Sequence, residues 1–158
     1  MSRIPRFARS ISRRSVCIEL ILPYTLSMPD SVFARIIKRE LPATILYEND
    51  EMICILDIHP VSLGHALLIS KTQYEMMQDV PDELLGKMFI KAKELMKAIQ
   101  KGLSCDYVQV SVVGIDVPHF HIHLMPRYHK DHLKTWDTRV YESDEQKKEI
   151  AEKIKNAL

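Results

Sequence analysis

Three histidines occupy alternate positions of an otherwise apolar segment, VPHFHIHLMPRY, at residues 117–128. In an extended strand, successive side chains point to opposite faces and each residue advances about 3.3 Å. The three imidazoles would therefore share one face at spacings of about 6.6 Å, while the intervening apolar residues face a core. The histidines are His119, His121 and His123, and the apolar residues are Phe120, Ile122 and Leu124.

A row of imidazoles suits two kinds of chemistry. Burying three titratable rings on one face costs free energy, so the rings are expected to have a task. One task is metal binding, because a His-x-His strand suits zinc or another transition metal when further ligands come from elsewhere. The other is covalent catalysis at phosphorus, in which one imidazole attacks while its neighbours position it and neutralise phosphate oxygens. The spacing alone leaves both open.

The elements that must position these histidines form one compact α+β unit from Met28 onward. A 3.6-residue apolar period predicts helices, and short apolar runs bounded by turn residues predict strands. Their order, with one long helix and shorter helices near the two ends, favours an antiparallel sheet with helices packed on one face. The predicted helices span residues 30–41, 81–102 and 143–158, and the predicted strands span residues 43–48, 51–58, 65–70, 106–114 and 117–125.

Capping residues set the predicted ends of these helices. Asp30 and Ser31 precede the first helix and are good N-caps. Gly102 is the predicted C-cap of the long helix. Ser143 and Gln146 have the spacing of a capping box at the start of the last helix.

The first 27 residues differ in composition from the rest of the chain. Residues 1–27 hold five arginines and one acid, Glu19, and carry +4, while the remainder carries −3. Such an Arg- and Ser-rich segment is typical of a mitochondrial transit peptide; a disordered tail or a true start at Met28 are the alternatives. The chain thus divides into an extension, residues 1–27, and one domain, residues 28–158. We expect a cytoplasmic protein, or a mitochondrial matrix protein if the extension is a transit peptide.

Composition excludes several classes of protein. At 158 residues and 46% apolar, the chain can bury one core. The mildly acidic body gives no general attraction to nucleic acid. The stretch VCIELILPYTL, which contains Glu19 and Pro23, is too short to span a bilayer, so we expect neither nucleic acid nor membrane as a partner. Three widely separated cysteines do not indicate a disulfide framework and favour a reducing compartment.

The residues around the histidines carry a family resemblance. HFHIHLM, followed by PR, has the pattern His-φ-His-φ-His-φ-φ, where φ is apolar. Upstream, YEND precedes a strand that ends in Asp-Ile, and a P-x-x-x-G-H turn leads into the next strand. Over residues 31–128 the chain resembles the histidine triad (HIT) superfamily of nucleotidyl hydrolases and transferases. Within that superfamily it most resembles the branch that contains the histidine triad nucleotide-binding proteins and the HIT family hydrolases. The resemblance implies a HIT-like fold, a five-stranded antiparallel sheet with the long helix packed on it.

The resemblance implies a role for each histidine. His121 matches the nucleophile that forms a covalent nucleotidyl-histidine intermediate. His123 matches the histidine that contacts the phosphate and assists proton transfer to the leaving group, and His119 matches the one that orients the nucleophile. His65 matches a fourth histidine beside the triad. The resemblance implies no cofactor.

The same resemblance implies a nucleotide site. Asp57 matches a carboxylate that accepts hydrogen bonds from the ribose hydroxyls, and a bidentate acceptor suits two vicinal hydroxyls. Alternatively, Asp57 caps the turn before Pro60. An apolar clamp for the base of a purine nucleotide, adenosine or guanosine, is the other part of the site, and its members can equally be core residues. The matching positions are Phe33, Ile36, Leu56 and Ile58.

The chain departs from the family pattern in two places. Ile115 stands where many members have Gln, four residues before His119, in a shorter loop whose nearest polar residue is Ser111. Because this loop normally helps to hold the phosphate and the leaving group, we expect a preference for good leaving groups. Ser31 and Ala34 occupy the Cys-x-x-Cys positions through which some members bind structural zinc. That zinc site is therefore expected to be absent.

The resemblance implies a hydrolase or transferase that attacks the α-phosphate of a nucleoside phosphoramidate or dinucleoside polyphosphate, and we expect this reaction to be metal-independent. No carboxylate or cysteine lies at a sequence spacing that completes a tetrahedral metal set with the triad. The alternative is a nucleotide-binding regulatory protein with marginal turnover, and a metal-dependent enzyme ranks third. The resemblance implies a homodimer, because relatives pair through the long helix and an adjoining strand, and residues 84–99 offer a suitable apolar stripe. The alternative is that the whole stripe packs within its own subunit. We expect Trp136 to pack on the sheet rather than reach a partner's substrate, and His129 and His132 to lie in a solvated loop.

Overall fold

The computed structural model describes residues 29–133 and 136–158. The predicted extension, residues 1–27, and the alternative start at Met28 lie outside the described residues. A short 3₁₀ turn at Met77–Asp79 accompanies the helices and strands. In chain order these are α1 (Val32–Ile37), β1 (Ile45–Glu48), β2 (Met52–Leu56), β3 (Ala66–Ser70), α2 (Asp82–Leu103), β4 (Tyr107–Ser111), β5 (His121–Arg127) and α3 (Asp144–Lys155).

The strands form one five-stranded antiparallel sheet in the order β1-β2-β3-β5-β4. This confirms the predicted α+β class and the five-stranded sheet. β5 carries two of the histidines and pairs with β3 on one side and β4 on the other. His123 lies opposite Leu67 and Ser111, and His121 lies opposite Ile69. Neighbours on both sides therefore hold the histidine strand in register.

One face of the sheet packs against α2 and α3 and forms the main core. α2 buries Met88, Leu95 and Ile99 there, and α3 buries Ile150 and Ile154. The apolar residues that alternate with the histidines were predicted to face a core, and the structure confirms this. They are Phe120, Ile122 and Leu124.

The other face of the sheet carries the histidines and a smaller apolar cluster. Ile55, Leu67 and Ile69 of the strands pack there against Phe33 and Ile36 of α1. The expectation that the helices share one face is therefore wrong for α1. Because α1 has only six residues, its own hydrogen bonds give it little stability, and its position depends on contacts with the sheet.

The ends of two helices differ from the predicted ones for local reasons. α1 ends at Ile37 rather than at residue 41, and Arg39 follows it with a φ of 64°. α2 continues through Gly102, the predicted C-cap, and Ser104 in the left-handed conformation ends it instead. Gly102 lies where a Cβ atom would collide with the backbone carbonyl of Lys153 in α3, so helix packing requires this glycine. No helix in the described ranges is long and apolar enough to cross a membrane.

Two of the predicted N-caps are present. The hydroxyl of Ser31 accepts a hydrogen bond from the Ala34 N–H at 3.0 Å. The hydroxyl of Ser143 accepts one from the Gln146 N–H at 3.2 Å. Asp30 instead forms an exposed ion pair with a lysine of the same segment, so Ser31 alone caps α1.

The histidine strand is shorter than predicted. β5 begins at His121 rather than at residue 117, and His119 lies in the segment before it. Pro118 has no N–H to donate, and the His119 N–H bonds back to the Val117 carbonyl at 2.7 Å. The tight turn over Pro118 replaces ladder pairing, so His119 has surroundings different from those of the two strand histidines.

Candidate active site

His121 and His123 line a cavity of about 720 Å³ on the α1 face of the sheet. α1, the end of β2 with its following turn, and the loop at residues 113–117 contribute most of its wall. That wall is largely apolar, and its volume suits a small-molecule ligand. Two titratable rings at a mostly apolar cavity are the arrangement expected of a binding or reaction site.

His121 is positioned by the backbone immediately before it. Its Nδ1–H donates to the carbonyl oxygen of His119 at 2.7 Å, because a carbonyl can only accept. In the neutral ring, Nε2 then carries a lone pair and no proton. Burial lowers the pKa of His121, opposed by the His119 carbonyl and the carboxylates of Asp57 and Asp116. At pH 7 the ring is therefore neutral, and its Nε2 has no hydrogen-bond partner among the described residues.

A pair of hydrogen-bonded imidazoles stands beside His121. The Val61 N–H donates to His65 Nδ1 at 3.2 Å, which puts the proton of neutral His65 on Nε2. That Nε2–H donates to His123 Nδ1 at 3.0 Å, so the proton of neutral His123 is on Nε2. Burial, then repulsion from the protonated form of His121, lowers the pKa of both His65 and His123 to about 4. Within the described part of the chain, His123 therefore keeps one N–H donor, on Nε2, without a hydrogen-bond partner.

The carboxylate of Asp57 makes two contacts beside the His65–His123 pair. One carboxylate oxygen accepts the His59 N–H at 2.9 Å, so the turn-capping interpretation of this residue applies. The other oxygen lies 3.4 Å from His65 Nδ1. Asp57 also lines the cavity, and a carboxylate oxygen can accept further hydrogen bonds. Capping the turn is therefore compatible with binding a ligand hydroxyl.

His119 lies behind the cavity rather than in its wall. Its side chain is fully buried. Its Nε2 lies 2.6 Å from the Ser70 carbonyl oxygen, and its Nδ1 lies 2.6 Å from the Ser31 hydroxyl. Burial lowers the pKa of His119, opposed by the bond to Ser70. His119 therefore touches His121 through its carbonyl group, as an orienting residue would.

The structure brings the predicted nucleotide-binding positions together. The ring of Phe33 meets that of His121 edge-on, with centroids 4.9 Å apart. Ile58 is 66% exposed, which a core residue would not be. The roles of these residues stay predictions. The positions that line the cavity are Phe33, Ile36, Leu56, Asp57 and Ile58.

The cavity wall also contains residues that were not predicted from the sequence to bind a ligand. Leu41 and Val113 line the cavity without any pattern in the sequence that marks them. Ile115, noted above only as a departure, also lines it and is 85% exposed. Trp136 lines it as well and packs edge-on against His123, with centroids 5.4 Å apart. Trp136 thus contacts the sheet at His123, beside the cavity.

The YHKDH segment lies away from the cavity. His129 and His132 are exposed, as predicted for a solvated loop. Asp131 is not merely solvated, because Arg127 donates to both of its carboxylate oxygens at 2.7 and 2.9 Å. This ion pair fixes the loop that follows β5.

One group of possible metal ligands occurs among the described residues. Ligand atoms of Asp57, His65 and His123 lie within 4.8 Å of one another. Sequence spacing did not indicate these three site residues as a set of metal ligands, because Asp57 follows β2, His65 precedes β3 and His123 lies within β5. Both ring nitrogens of His65 and one of His123 are already hydrogen-bonded. A metal ion would have to displace those bonds, and the Cys-x-x-Cys positions hold Ser31 and Ala34.

Comparisons with known proteins agree with this geometry. An uncharacterized HIT-like protein of Methanocaldococcus jannaschii is 34% identical, over 75% of this chain and 97% of that protein. An adenylylsulfatase of Arabidopsis thaliana is 37% identical over 66% of this chain and 55% of its own length. An adenosine 5'-monophosphoramidase of Saccharomyces cerevisiae is 36% identical over 61% of each chain.

Solved structures and a family model point the same way. The crystal structure of a Hit-like protein from Bartonella henselae has a TM-score of 0.75 and 29% identity, and the match covers 82% of this chain and 96% of that one. The HIT domain family model matches residues 38–130, which include His65 and the whole triad. The chain therefore belongs to the HIT family.

Proposed function

We propose that this protein is a hydrolase or transferase that attacks the α-phosphate of a nucleoside phosphoramidate or a dinucleoside polyphosphate through His121. The observation that carries the proposal is the bond from His121 Nδ1–H to the His119 carbonyl, which leaves Nε2 unprotonated at the cavity. The relatives named an adenylylsulfatase and an adenosine 5'-monophosphoramidase support an adenylyl substrate.

In the first step, the lone pair of His121 Nε2 attacks phosphorus. A bond forms between Nε2 and phosphorus, the bond from phosphorus to the leaving nitrogen or oxygen breaks, and its electron pair stays with the leaving group. An anionic phosphate favours the charged form of a neighbouring imidazole, so His123 takes up a proton when the substrate binds. Both nitrogens of His123 then carry protons, so the neutral ring of His65 carries its own proton on Nδ1, toward Asp57, and accepts the His123 Nδ1–H on its Nε2. His123 Nε2 then gives its proton to the leaving group and becomes neutral.

In the second step, water replaces the leaving group. The water oxygen attacks phosphorus, the bond to His121 Nε2 breaks, and this nitrogen recovers its lone pair. The water proton passes to neutral His123, which restores its protonated state. The centroids of the His121 and His123 rings are 4.7 Å apart, so both act on one phosphoryl group. Both steps need only imidazole groups, and we propose a metal-independent reaction.

Nucleotide binding involves the α1 side of the cavity. The base, a purine in this proposal, packs between Phe33 and Ile58, because flat apolar rings suit an apolar cleft. Asp57 accepts hydrogen bonds from the ribose hydroxyls with the capacity that the turn leaves free. The nucleotide is thereby held with its α-phosphate at His121.

A nucleotide-binding regulatory protein with marginal turnover is the second candidate. The observation that favours it is Ile115, which lines the cavity where many HIT members carry a Gln. An apolar side chain cannot donate a hydrogen bond to a phosphate or a leaving group. On this candidate the protein would bind nucleotide tightly but turn it over slowly.

The same residue predicts how the rate depends on the leaving group. A missing donor weakens transition-state binding by about 1.5–3 kcal/mol, and poor leaving groups suffer most. We therefore expect kcat/KM to fall steeply along a series of adenosine phosphoramidates as leaving-amine pKa rises. Ile115→Gln should flatten this dependence, with Val140→Gln, at an exposed position outside the cavity wall, as the matched control. Identical slopes in all three enzymes would contradict the role given to Ile115.

A substrate panel tests the proposed function. We expect adenosine and guanosine phosphoramidates and dinucleoside polyphosphates to be hydrolysed at rates that excess chelator does not change. Nucleotide binding without turnover would favour the regulatory candidate. Activity lost on chelation and restored by zinc would establish a metal-dependent enzyme instead.

We also propose a homodimer. β4 is an edge strand of the sheet and exposes Tyr107 and Val110, and α2 exposes Phe89 and Ile90. Exposed strand edges and exposed apolar side chains are features through which a second copy can pair. Light scattering should give twice the 18.4 kDa chain mass. Val110→Lys should shift the protein toward monomer, while Val140→Lys, a control at an exposed position in another segment, should not. A wild-type monomer at micromolar concentration would refute the dimer.

A further inference from the structure

His119 takes part in a buried hydrogen-bond network that joins it to α1. Its Nε2 lies 2.6 Å from the Ser70 carbonyl oxygen, which can only accept, so Nε2 carries the proton. Burial lowers the pKa of His119 and keeps the ring neutral, so Nδ1 is an acceptor. The Ser31 hydroxyl, 2.6 Å away, must then donate to it. The hydroxyl oxygen of Ser31 in turn accepts the Ala34 N–H.

Gln73 makes a second connection between the same segments. Its side-chain carbonyl accepts the Ser31 N–H at 3.2 Å. Its amide group donates to the carbonyl oxygens of Pro118 at 3.2 Å and Pro29 at 3.3 Å. The start of α1 is thus bonded both to the His119 ring and to the residue just before it.

These bonds connect the two halves of the cavity. α1 has six residues and carries Phe33, whose ring contacts both His119 and His121. The His119 carbonyl holds the Nδ1–H of His121. A shift of Ser31 would therefore move the apolar wall and the acceptor that fixes the proposed nucleophile at the same time.

We propose that Ser31 is a positioning residue for the reaction. Its hydroxyl holds the His119 ring between α1 and Ser70, so that the His119 carbonyl keeps His121 in the form with Nε2 unprotonated. Gln73 supports this position through Pro118. The inference rests on the proposed function, since it gives Ser31 its effect through His121. It adds a residue that the triad motif does not contain.

Helix capping must be separated from positioning. Ser31→Ala removes both the cap and the donor to His119. The matched control is Ser143→Ala, which removes the N-cap of α3 on the opposite face of the sheet. Ser31→Thr keeps a hydroxyl and serves as the rescue variant. If Ser31→Ala does not fold, Gln73→Glu replaces it, because a carboxylate still accepts the Ser31 N–H but cannot donate to Pro118.

Two measurements decide the proposal. Ser31→Ala should lower kcat by about 10- to 100-fold with a much smaller change in KM, Ser31→Thr should recover most of the rate, and Gln73→Glu should lower it by a smaller factor. Ser143→Ala should lower Tm but leave kcat within about twofold of wild type, since it touches no site residue. A kcat for Ser31→Ala, or for Gln73→Glu if that variant is needed, equal to that of the Ser143→Ala control would overturn the proposal.

The second measurement does not depend on turnover. In proton NMR of the free protein, the His121 Nδ1–H should exchange slowly with water in wild type and in Ser143→Ala, and rapidly in Ser31→Ala. Equal protection in all three proteins would overturn the proposal. A wild-type enzyme without activity would refute the proposed function instead, and the exchange rates would still test the network.

Discussion

The two faces of the sheet are built from the same strands but are stabilised differently. On the core face, α2 with 22 residues and α3 with 12 cover a continuous apolar cluster. On the site face, a helix of six residues covers a small cluster, and hydrogen bonds among His119, Ser31 and Ser70 hold it in place. Most of the apolar burial that stabilises the fold therefore lies on the core face. The site face can then carry buried polar groups, whose burial costs free energy.

Strand β5 shows the contrast within a single element. Ile122 and Leu124 are fully buried on the core face, while His121 and His123 on the site face line the cavity. Because side chains alternate along a strand, one position contributes to the core and the next contributes to the site. Substitutions one residue apart should therefore affect different properties.

The largest expected effect compares His121 with Ile122. His121→Asn should lower kcat by about 10⁴-fold or more, as removal of a nucleophile does, with little change in Tm and in nucleotide affinity. Ile122→Ala should lower the free energy of unfolding by about 2–5 kcal/mol and leave kcat of the folded fraction near wild type. Steady-state kinetics and urea unfolding check both. Near wild-type turnover in His121→Asn would contradict the assignment of His121 as the nucleophile.

A smaller effect is expected at His123. His123→Asn should lower kcat by about 10²- to 10⁴-fold, as loss of a positioned proton donor does, and His65→Asn should lower it less, because His65 acts through His123. Leu124→Ala, one residue along on the core face, should lower Tm instead. An equal loss of kcat in His123→Asn and Leu124→Ala would mean that catalysis and stability are not separated between the two faces of the sheet.

The site face should also make stability depend on pH. Burial lowers the pKa of His65 and His123 from 6.5 to about 4, so the unfolded chain binds protons that the folded chain does not. Stability should level off above about pH 7.5 and fall as the pH drops through 6.5 toward 4, by on the order of 2 kcal/mol per imidazole at pH 5. Urea unfolding at pH 7.5 and 5 measures this, and His65→Gln should reduce the difference. Equal stability at both pH values would contradict the buried neutral pair.

The sequence predicted those features that depend on local pattern. Alternation within β5 placed Ile122 and Leu124 in the core, and apolar periodicity located α2. Contacts between distant segments escaped prediction. Ser31 and His119 are 88 residues apart, and no local pattern indicates their hydrogen bond. The family resemblance, rather than a local pattern, placed His65 beside the triad. Gly102 was misassigned because close packing against α3, rather than a helix end, requires a glycine there.

The central claim is that His121 Nε2 forms a covalent bond to phosphorus, and a trapping experiment tests it most directly. Wild type and His123→Asn are mixed with an adenosine phosphoramidate, quenched in base to protect the phosphorus–nitrogen bond, and analysed by peptide mass spectrometry. We expect one adenylyl group on the peptide that contains His121, transient in wild type and longer-lived in His123→Asn, because His123 accepts the proton of the attacking water. His121→Asn should give no adduct. Turnover without any adduct, or an adduct on another residue, would contradict the account.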